Sequence, residues 1–306
     1  MPGARVVSLA WSVVALLAGC DGRSGASTTS ASVSSGAGGG CPVCGEPRNA
    51  GDMANPAILE ASGIVASALH EGVFYVHNDS GDAARFFAVG SAGEDLGTFD
   101  VTGASAIDWE DIARGPCADP QKSCIYLADI GDNSVNRGSV VIYRVEEPAA
   151  LGAGNHAVPS ESFTFTYADG SHNAETLLVH PKTGVVTIVS KAGAGSVAYE
   201  LPYPLTPTGM VASRIVDVPI GKTLPLVTGG DVSADGTGIL LRTYNGLYLF
   251  ALQGGVSVAT ALGSTPCSVR VATEKQGEAV AWLFSGKGWV TTSEGQTQGL
   301  HVVDCH

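Results

Sequence analysis

From about residue 55 onward the chain is built of short apolar runs punctuated by Gly, Asp, Asn and Pro. Runs such as Val73–His77, Cys124–Asp129, Val185–Lys191 and Ile239–Thr243 are rich in β-branched and aromatic side chains. They have the length and composition of strands. No segment keeps a 3.6-residue apolar period long enough for a confident helix, so the pattern predicts an all-β fold. The 41 glycines suit many tight turns.

The runs recur in units. An opening strand begins each one: Ser62-Gly63-Ile64-Val65, Glu110-Asp111-Ile112-Ala113, Glu175-Thr176-Leu177-Leu178, Asp231-Val232-Ser233-Ala234 and Glu278-Ala279-Val280-Ala281. Second strands follow, ending with Trp289–Thr292 in the last unit. Third strands come next: Arg85–Val89, Val140–Val145, Val197–Leu201, Leu247–Leu252 and His301–Asp304. Fourth strands, such as Ser162–Tyr167 and Arg214–Pro219, complete the first four units. A four-stranded repeat of roughly 40–50 residues is the mark of a β-propeller blade. Five blades are expected, with six as the competitor and a two-sheet sandwich as a third option. The last unit lacks a fourth strand, and residues 53–60 are expected to supply it from the other end of the chain.

Ahead of this domain lies a different pattern. Arg5 precedes an apolar run from Val6 to Ala18, which ends in Leu17-Ala18-Gly19-Cys20. That is a secretory leader over residues 1–19 closing on a lipobox, so cleavage before Cys20 and lipidation of its thiol are expected. An ordinary leader with a chance Cys is the alternative. Residues 21–40 are almost all Ser, Gly, Ala and Thr, too poor in apolar surface to fold. The expected organisation is a leader (1–19), a lipidated tether (20–54) and a propeller domain (55–306). It places the domain in the bacterial cell envelope, anchored to a membrane, on the extracytoplasmic side.

Charge narrows the partners. The net charge is -13, and removing the leader with Arg5 makes the mature chain one unit more negative. A polyanion such as nucleic acid is excluded on these grounds, and cations are favoured. A protein, a glycan or a small phosphorylated ligand stays open as partner.

Setting Cys20 aside leaves Cys41, Cys44, Cys117, Cys124, Cys267 and Cys305, an even count that suits three disulfides in an exported protein. Cys117 and Cys124 flank a short loop and are expected to bridge it. The other four lie just before the fold and near its end, and look like staples between the termini, with three pairings open. A zinc site from Cys41, Cys44 and His306 is the alternative.

Several phrases carry a resemblance: Glu60-Ala61-Ser62-Gly63-Ile64-Val65, His77-Asn78-Asp79-Ser80-Gly81-Asp82, Asp108-Trp109-Glu110-Asp111-Ile112-Ala113, Asp129-Ile130-Gly131-Asp132-Asn133 and Ala174-Glu175-Thr176-Leu177-Leu178. They resemble a widespread bacterial family of exported propeller lipoproteins, over most of residues 58–295. The chain is more distantly similar to Tol-associated and phytase-like propellers, although the calcium-clustering sequences of propeller phytases are not matched. The resemblance implies fold and export, and carries no activity with it.

In a propeller, the loop into each first strand and the loop between second and third strands share one face. The openers Glu110, Glu175, Asp231 and Glu278 would then ring a channel mouth, with Glu60 beside the departing Ser62. Asp79, Asp82, Asp129, Asp132 and Glu294 would join from the second loops, and Lys191 and Arg242 would supply two cations; Asp111 adds a further acid. Crowded carboxylates must take up protons or a cation. Hard oxygen ligands suit calcium, with Glu110, Glu175, Asp231, Glu278, Asp79 and Asp129 as the expected ligands, completed by Asn78, Asn133 and backbone carbonyls. Turn formation is the competing role for Asp79, Asp82, Asp129 and Asp132. His77 is a ligand, a base or a structural histidine, and Trp109 stacks on a sugar or packs between blades. No Gly-x-Ser-x-Gly elbow, His-Glu-x-x-His helix or phosphate-binding Gly-x-x-x-x-Gly-Lys loop occurs. A binding module with an acidic mouth is therefore ranked first, ahead of a metal-dependent phosphoesterase or a propeller glycosidase. Mass spectrometry of the mature protein should find Cys20 as a lipidated N-terminal residue; an unmodified Cys20, or a cut elsewhere, overturns that expectation.

Overall fold

Strands β2 (Ala61–Ala66), β10 (Ala174–Val179), β14 (Val227–Val232) and β15 (Gly238–Thr243) are buried at every position. Both of their faces are covered, so apolar residues such as Ile64-Val65, Leu177-Leu178 and Ile239-Leu240-Leu241 stand side by side rather than at a period of two. A computed structural model describes residues 40–220 and 226–306. The expected leader, the expected lipidation at Cys20 and the Ser/Gly stretch up to residue 39 lie outside the described residues.

The chain is all-β, with antiparallel strands arranged in runs of four. The first run is β2, β3 (Val73–Asn78), β4 (Arg85–Gly90) and β5 (Asp95–Thr102). The second is β6 (Trp109–Pro116), β7 (Ser123–Asp129), β8 (Val140–Glu146) and β9 (Asn155–Tyr167). The third is β10, β11 (Val186–Ser190), β12 (Val197–Glu200) and β13 (Met210–Asp217). The fourth is β14, β15, β16 (Gly246–Ala251) and β17 (Cys267–Val269), with a short helix α1 (Val258–Leu262) before β17. Strands β18 (Gly277–Trp282), β19 (Gly288–Ser293) and β20 (Gly299–Asp304) begin the last run, and β1 (Arg48–Asp52) completes it by pairing with β20. Long β9 also pairs in parallel with β5 through Asn155–Pro159 and with β13 through Phe165–Tyr167, so the first three runs form one hydrogen-bonded sheet.

Hydrophobic packing joins neighbouring runs. Val65, Tyr75, Ile112 and Leu127 belong to a core between the first and second runs. Tyr126, Ile142, Leu177 and Ile188 fill the next one. Leu178, Val189, Ile239 and Leu241 fill the third, and Leu240, Val280 and Trp289 the fourth. The fifth core, with Ile64, Phe87, Val290 and Leu300, joins the last run back to the first. The first strands β2, β6, β10, β14 and β18 touch in the same cyclic order.

The strand that completes the last run is β1, not the expected 53–60. Residues 53–60 instead cross to the first run, placing Met53 and Ile58 in the fifth core. Residues 41–54 belong to the same unit as the strands, which runs from Cys41 to His306, and not to a tether. Two contacts explain this boundary. Gly93, at φ +91°, lies so close to β1 that a Cβ there would stand 2.1 Å from the Asp52 carbonyl oxygen. Disulfides Cys41–Cys267 and Cys44–Cys305 hold the same segment covalently. The local Cys117–Cys124 bridge is also present. With both Cys41 and Cys44 in disulfides, the zinc alternative has no thiolates left.

The two long-range bridges are not independent. Once one is closed, the other closes only the short ring between them. Removing one while the other stays closed should cost on the order of 4 kcal/mol in the chain-entropy account, and removing both on the order of 9 kcal/mol, about 1 kcal/mol more than the two single losses added together, because the second loss opens a loop of more than 200 residues. Melting of Cys44→Ser/Cys305→Ser, Cys41→Ser/Cys267→Ser and the quadruple variant tests this; strictly additive losses overturn it.

Candidate functional site

Each first strand starts with the same irregularity. One residue is bulged out of the ladder: Ser62 in β2, Glu110 in β6, Glu175 in β10, Thr228 in β14 and Glu278 in β18. A bulge re-aims a side chain and is favoured beside functional sites. The two hydroxyl residues use this position for structure. Ser62 Oγ donates to the Glu110 carbonyl at 2.7 Å, and Thr228 Oγ1 donates to the Gly277 carbonyl at 3.1 Å. The three glutamates are buried there, each less than a twentieth exposed.

The position just past the second strand is held in four runs by Asp79, Lys191, Tyr244 and Glu294, and in the second run by the buried Ile130. Lys191 Nζ donates to Glu175 Oε2 and to the Tyr244 hydroxyl, both at 2.8 Å, and lies 5.0 Å from the centre of the Tyr244 ring. On the neighbouring side, one oxygen each from Asp79, Asp108 and Glu110 lie within 4.8 Å of one another. The Glu110 carboxylate, unlike its backbone carbonyl, accepts no hydrogen bond from any described residue. Gly131 is what makes room: a Cβ there would stand 2.1 Å from Glu110 Oε1 and 2.4 Å from Asp108 Oδ2. Asp108 was not among the sequence candidates, although it stands in the same motif two residues before Glu110. Tyr244 and Thr228 carried no sequence signal.

The other candidates are placed elsewhere. Asp231 sits three residues beyond the bulge of β14, where its Oδ2 accepts the Trp282 N–H at 2.8 Å. It ties β14 to β18 and is not at the mouth. Asp111 does the same between β6 and β10, accepting the Leu177 N–H at 2.8 Å and its own Ile112 N–H at 2.9 Å. Asp129 is fully buried, accepts the Asp108 N–H and pairs with Arg137 at 2.8 Å. Asp132 holds the following loop through the N–H groups of Asn136 and Arg137. Asp82 pairs with Arg85 and accepts from Asn78, whose side chain in turn bonds Leu59, Glu60 and Ala57. Turn and loop structure therefore accounts for Asp82, Asp129 and Asp132, while Asp79 joins the acidic group. Arg242 lies inside β15, pairs with the buried Glu274 and is 1% exposed, so it offers no cation at the surface. Glu60 is exposed on the rim, near enough to Glu294 to raise its pKa. Asn133 is exposed and accepts from Asn173. His77 is buried, with Nδ1 donating to the Asn78 carbonyl at 2.8 Å, and burial holds its pKa below the usual value. Trp109 packs against His77 and Tyr143 and donates to the Ser105 carbonyl.

The electrostatics follow from crowding. Burial raises the Glu110 pKa well above the usual value, and Glu175, Asp79 and Asp108 add to the effect. Burial also lifts Glu175, against the pull of Lys191. Glu278 is pushed up to about 8 by burial, with Glu175, Glu294 and Asp79 adding to the effect while Lys191 opposes it. Its Oε2 is buried with no hydrogen-bond partner among the described residues, and Glu294 stands near enough for each carboxyl to affect the other's pKa. Burial opposes the Lys191 charge, yet Glu175 and Tyr244 hold its pKa above the ordinary lysine value.

No protein-family model matches the chain, and no curated protein matches it. Among solved structures, a luciferin-regenerating enzyme is similar over 86% of this chain and 95% of its own, at 10% identity and a TM-score of 0.44.

A carboxyl raised in the folded state binds a proton that the unfolded chain releases. The stability it contributes is complete below the ordinary value near 4.5 and is lost as pH rises through about 8. In chelator, the melting temperature should fall by on the order of 10–15 °C between pH 5 and 8.5, since Glu278 and Asp231 together lose about 6–7 kcal/mol over that range. Glu278→Gln should remove part of that slope; Asp231, raised to about 7 by burial, keeps the rest. A slope unchanged in Glu278→Gln overturns the assignment.

Proposed function

We propose that this chain is an extracytoplasmic, lipid-anchored five-bladed β-propeller that works as a ligand-binding module, with a divalent cation, calcium in the first place, in its acidic mouth. Five four-stranded runs and five cores in cyclic order support the propeller. Three disulfides support an oxidising compartment. The cation reading rests on one observation above all. Three carboxylates from two neighbouring runs converge within 4.8 Å, and no described residue donates to the carboxylate of the buried one, Glu110. A buried carboxylate without partners is costly. A cation offsets that cost where no protein N–H does. An all-oxygen donor set without His or Cys favours calcium over zinc.

The phosphoesterase reading needs free cations beside the metal. Lys191 is engaged by Glu175 and Arg242 by Glu274, so binding ranks ahead of it. A glycosidase is the second reading, because Glu278, raised to about 8 by burial, suits a general acid and Glu294 offers a second carboxyl beside it.

Calcium at a hundred times its dissociation constant should stabilise the metal-stripped protein by about 2.7 kcal/mol. Glu110→Gln, which keeps shape and removes a charge, should abolish most of that gain. A melting curve unmoved by millimolar calcium overturns the cation site.

A further inference from the structure

We propose that the ligand taken at this mouth is a neutral polyol, a sugar ring presenting a vicinal diol, gripped between the cation and the Lys191–Tyr244 pair. The inference rests on the cation reading above and names the ligand class of that same site.

Charge excludes the alternatives first. Glu60, Asp79, Asp108, Glu110, Glu175 and Glu294 outnumber two cations, Lys191 and Arg137, each already engaged by a carboxylate. With a divalent cation added, the mouth is still negative, so an anion gains little there. A cationic ligand would compete with the metal for the same oxygens. An apolar ligand finds no matching wall. The five bulge positions carry Glu, Ser or Thr, and the one aliphatic side chain at the next position, Ile130, is fully buried.

Hydrogen-bond capacity then selects hydroxyls. Ionised carboxylates only accept, and a sugar hydroxyl is both donor and acceptor. Two adjacent hydroxyl oxygens suit a calcium ion, which takes 6–8 oxygens and is offered one each by Asp79, Asp108 and Glu110. The hydroxyl protons are then directed at carboxylate oxygens. Two features point independently to a missing partner. The buried Glu278 Oε2 receives no hydrogen bond from any described residue. The half-buried Tyr244 hydroxyl accepts from Lys191 and donates to no described residue, which leaves its proton for a ligand oxygen.

Isothermal titration of the folded domain tests this, with methyl α-D-mannoside, methyl β-D-galactoside and myo-inositol as probes, each in calcium and in chelator. Inorganic phosphate and spermidine serve as the anionic and cationic comparisons. At least one polyol should bind in calcium and none in chelator. Tyr244→Phe should weaken that polyol about tenfold, the equivalent of one hydrogen bond, and leave calcium affinity unchanged. Circular dichroism and melting confirm that the variant is folded, and Glu110→Gln should lose both ligands. Calcium heat without any polyol heat overturns this proposal and leaves the cation reading standing. Polyol binding that is equal in chelator, a Tyr244→Phe affinity equal to wild type, or phosphate or spermidine bound in place of polyols also overturns it. If calcium itself gives no heat, the cation reading fails and this proposal falls with it.

Discussion

Everything at the mouth depends on closing the circle of strands. Glu278 and Glu294 come from the last run, Asp79 from the first, Glu110 and Asp108 from the second, Glu175 and Lys191 from the third. They meet only because the fifth core joins the last run to the first, and because β1 reaches back to pair with β20. The closure works against repulsion among the carboxyl groups it assembles. Apolar burial in five shared cores offsets this, and proton uptake by Glu278 and its neighbours lowers the repulsion itself.

One backbone device serves two ends. The bulge at the start of each first strand turns a side chain out of the alternating pattern. Where the residue is Ser62 or Thr228, its hydroxyl pins the neighbouring run. Where it is Glu110, Glu175 or Glu278, the pin is absent and a buried acid is left facing its counterparts. Stitching between first strands is then taken over one residue or more deeper, by the carboxylates of Asp111 and Asp231. Both are paired with backbone N–H groups despite pKa values raised by burial. Acidic residues close together in sequence thus divide by depth, with Glu110 at the mouth and Asp111 beneath it.

Much of this was legible in the chain. Second strands stand out because both faces are covered and many of their side chains are β-branched or aromatic. The spacing of cysteines pointed to a link between the termini, which Cys41–Cys267 and Cys44–Cys305 make. The fourth opener was misplaced because Thr228-Gly229-Gly230 has no strand signature, whereas Asp231-Val232 does; a bulge leaves no compositional trace. Strand β1 was hidden for a similar reason. Arg48-Asn49-Ala50-Gly51-Asp52 has almost no β propensity and is a strand only because β20 offers it an edge. Asp129, Asp132 and Asp82 could not be sorted from Asp79 by composition. What separates them is whether nearby N–H groups and Arg85 or Arg137 reach them, and that is a tertiary fact.

The position of the two terminal bridges has a mechanical meaning. Cys41 is the first described residue of the folded unit to be covalently held, and it is joined to Cys267; three residues on, Cys44 is joined to Cys305. A pull on the chain ahead of Cys41 is therefore delivered through sulfur to the fourth and fifth runs, before it reaches the β1–β20 ladder. The hydrogen bonds of that ladder are shielded from tension along the chain, and the mouth keeps its shape under a force that would peel an unbridged edge strand away.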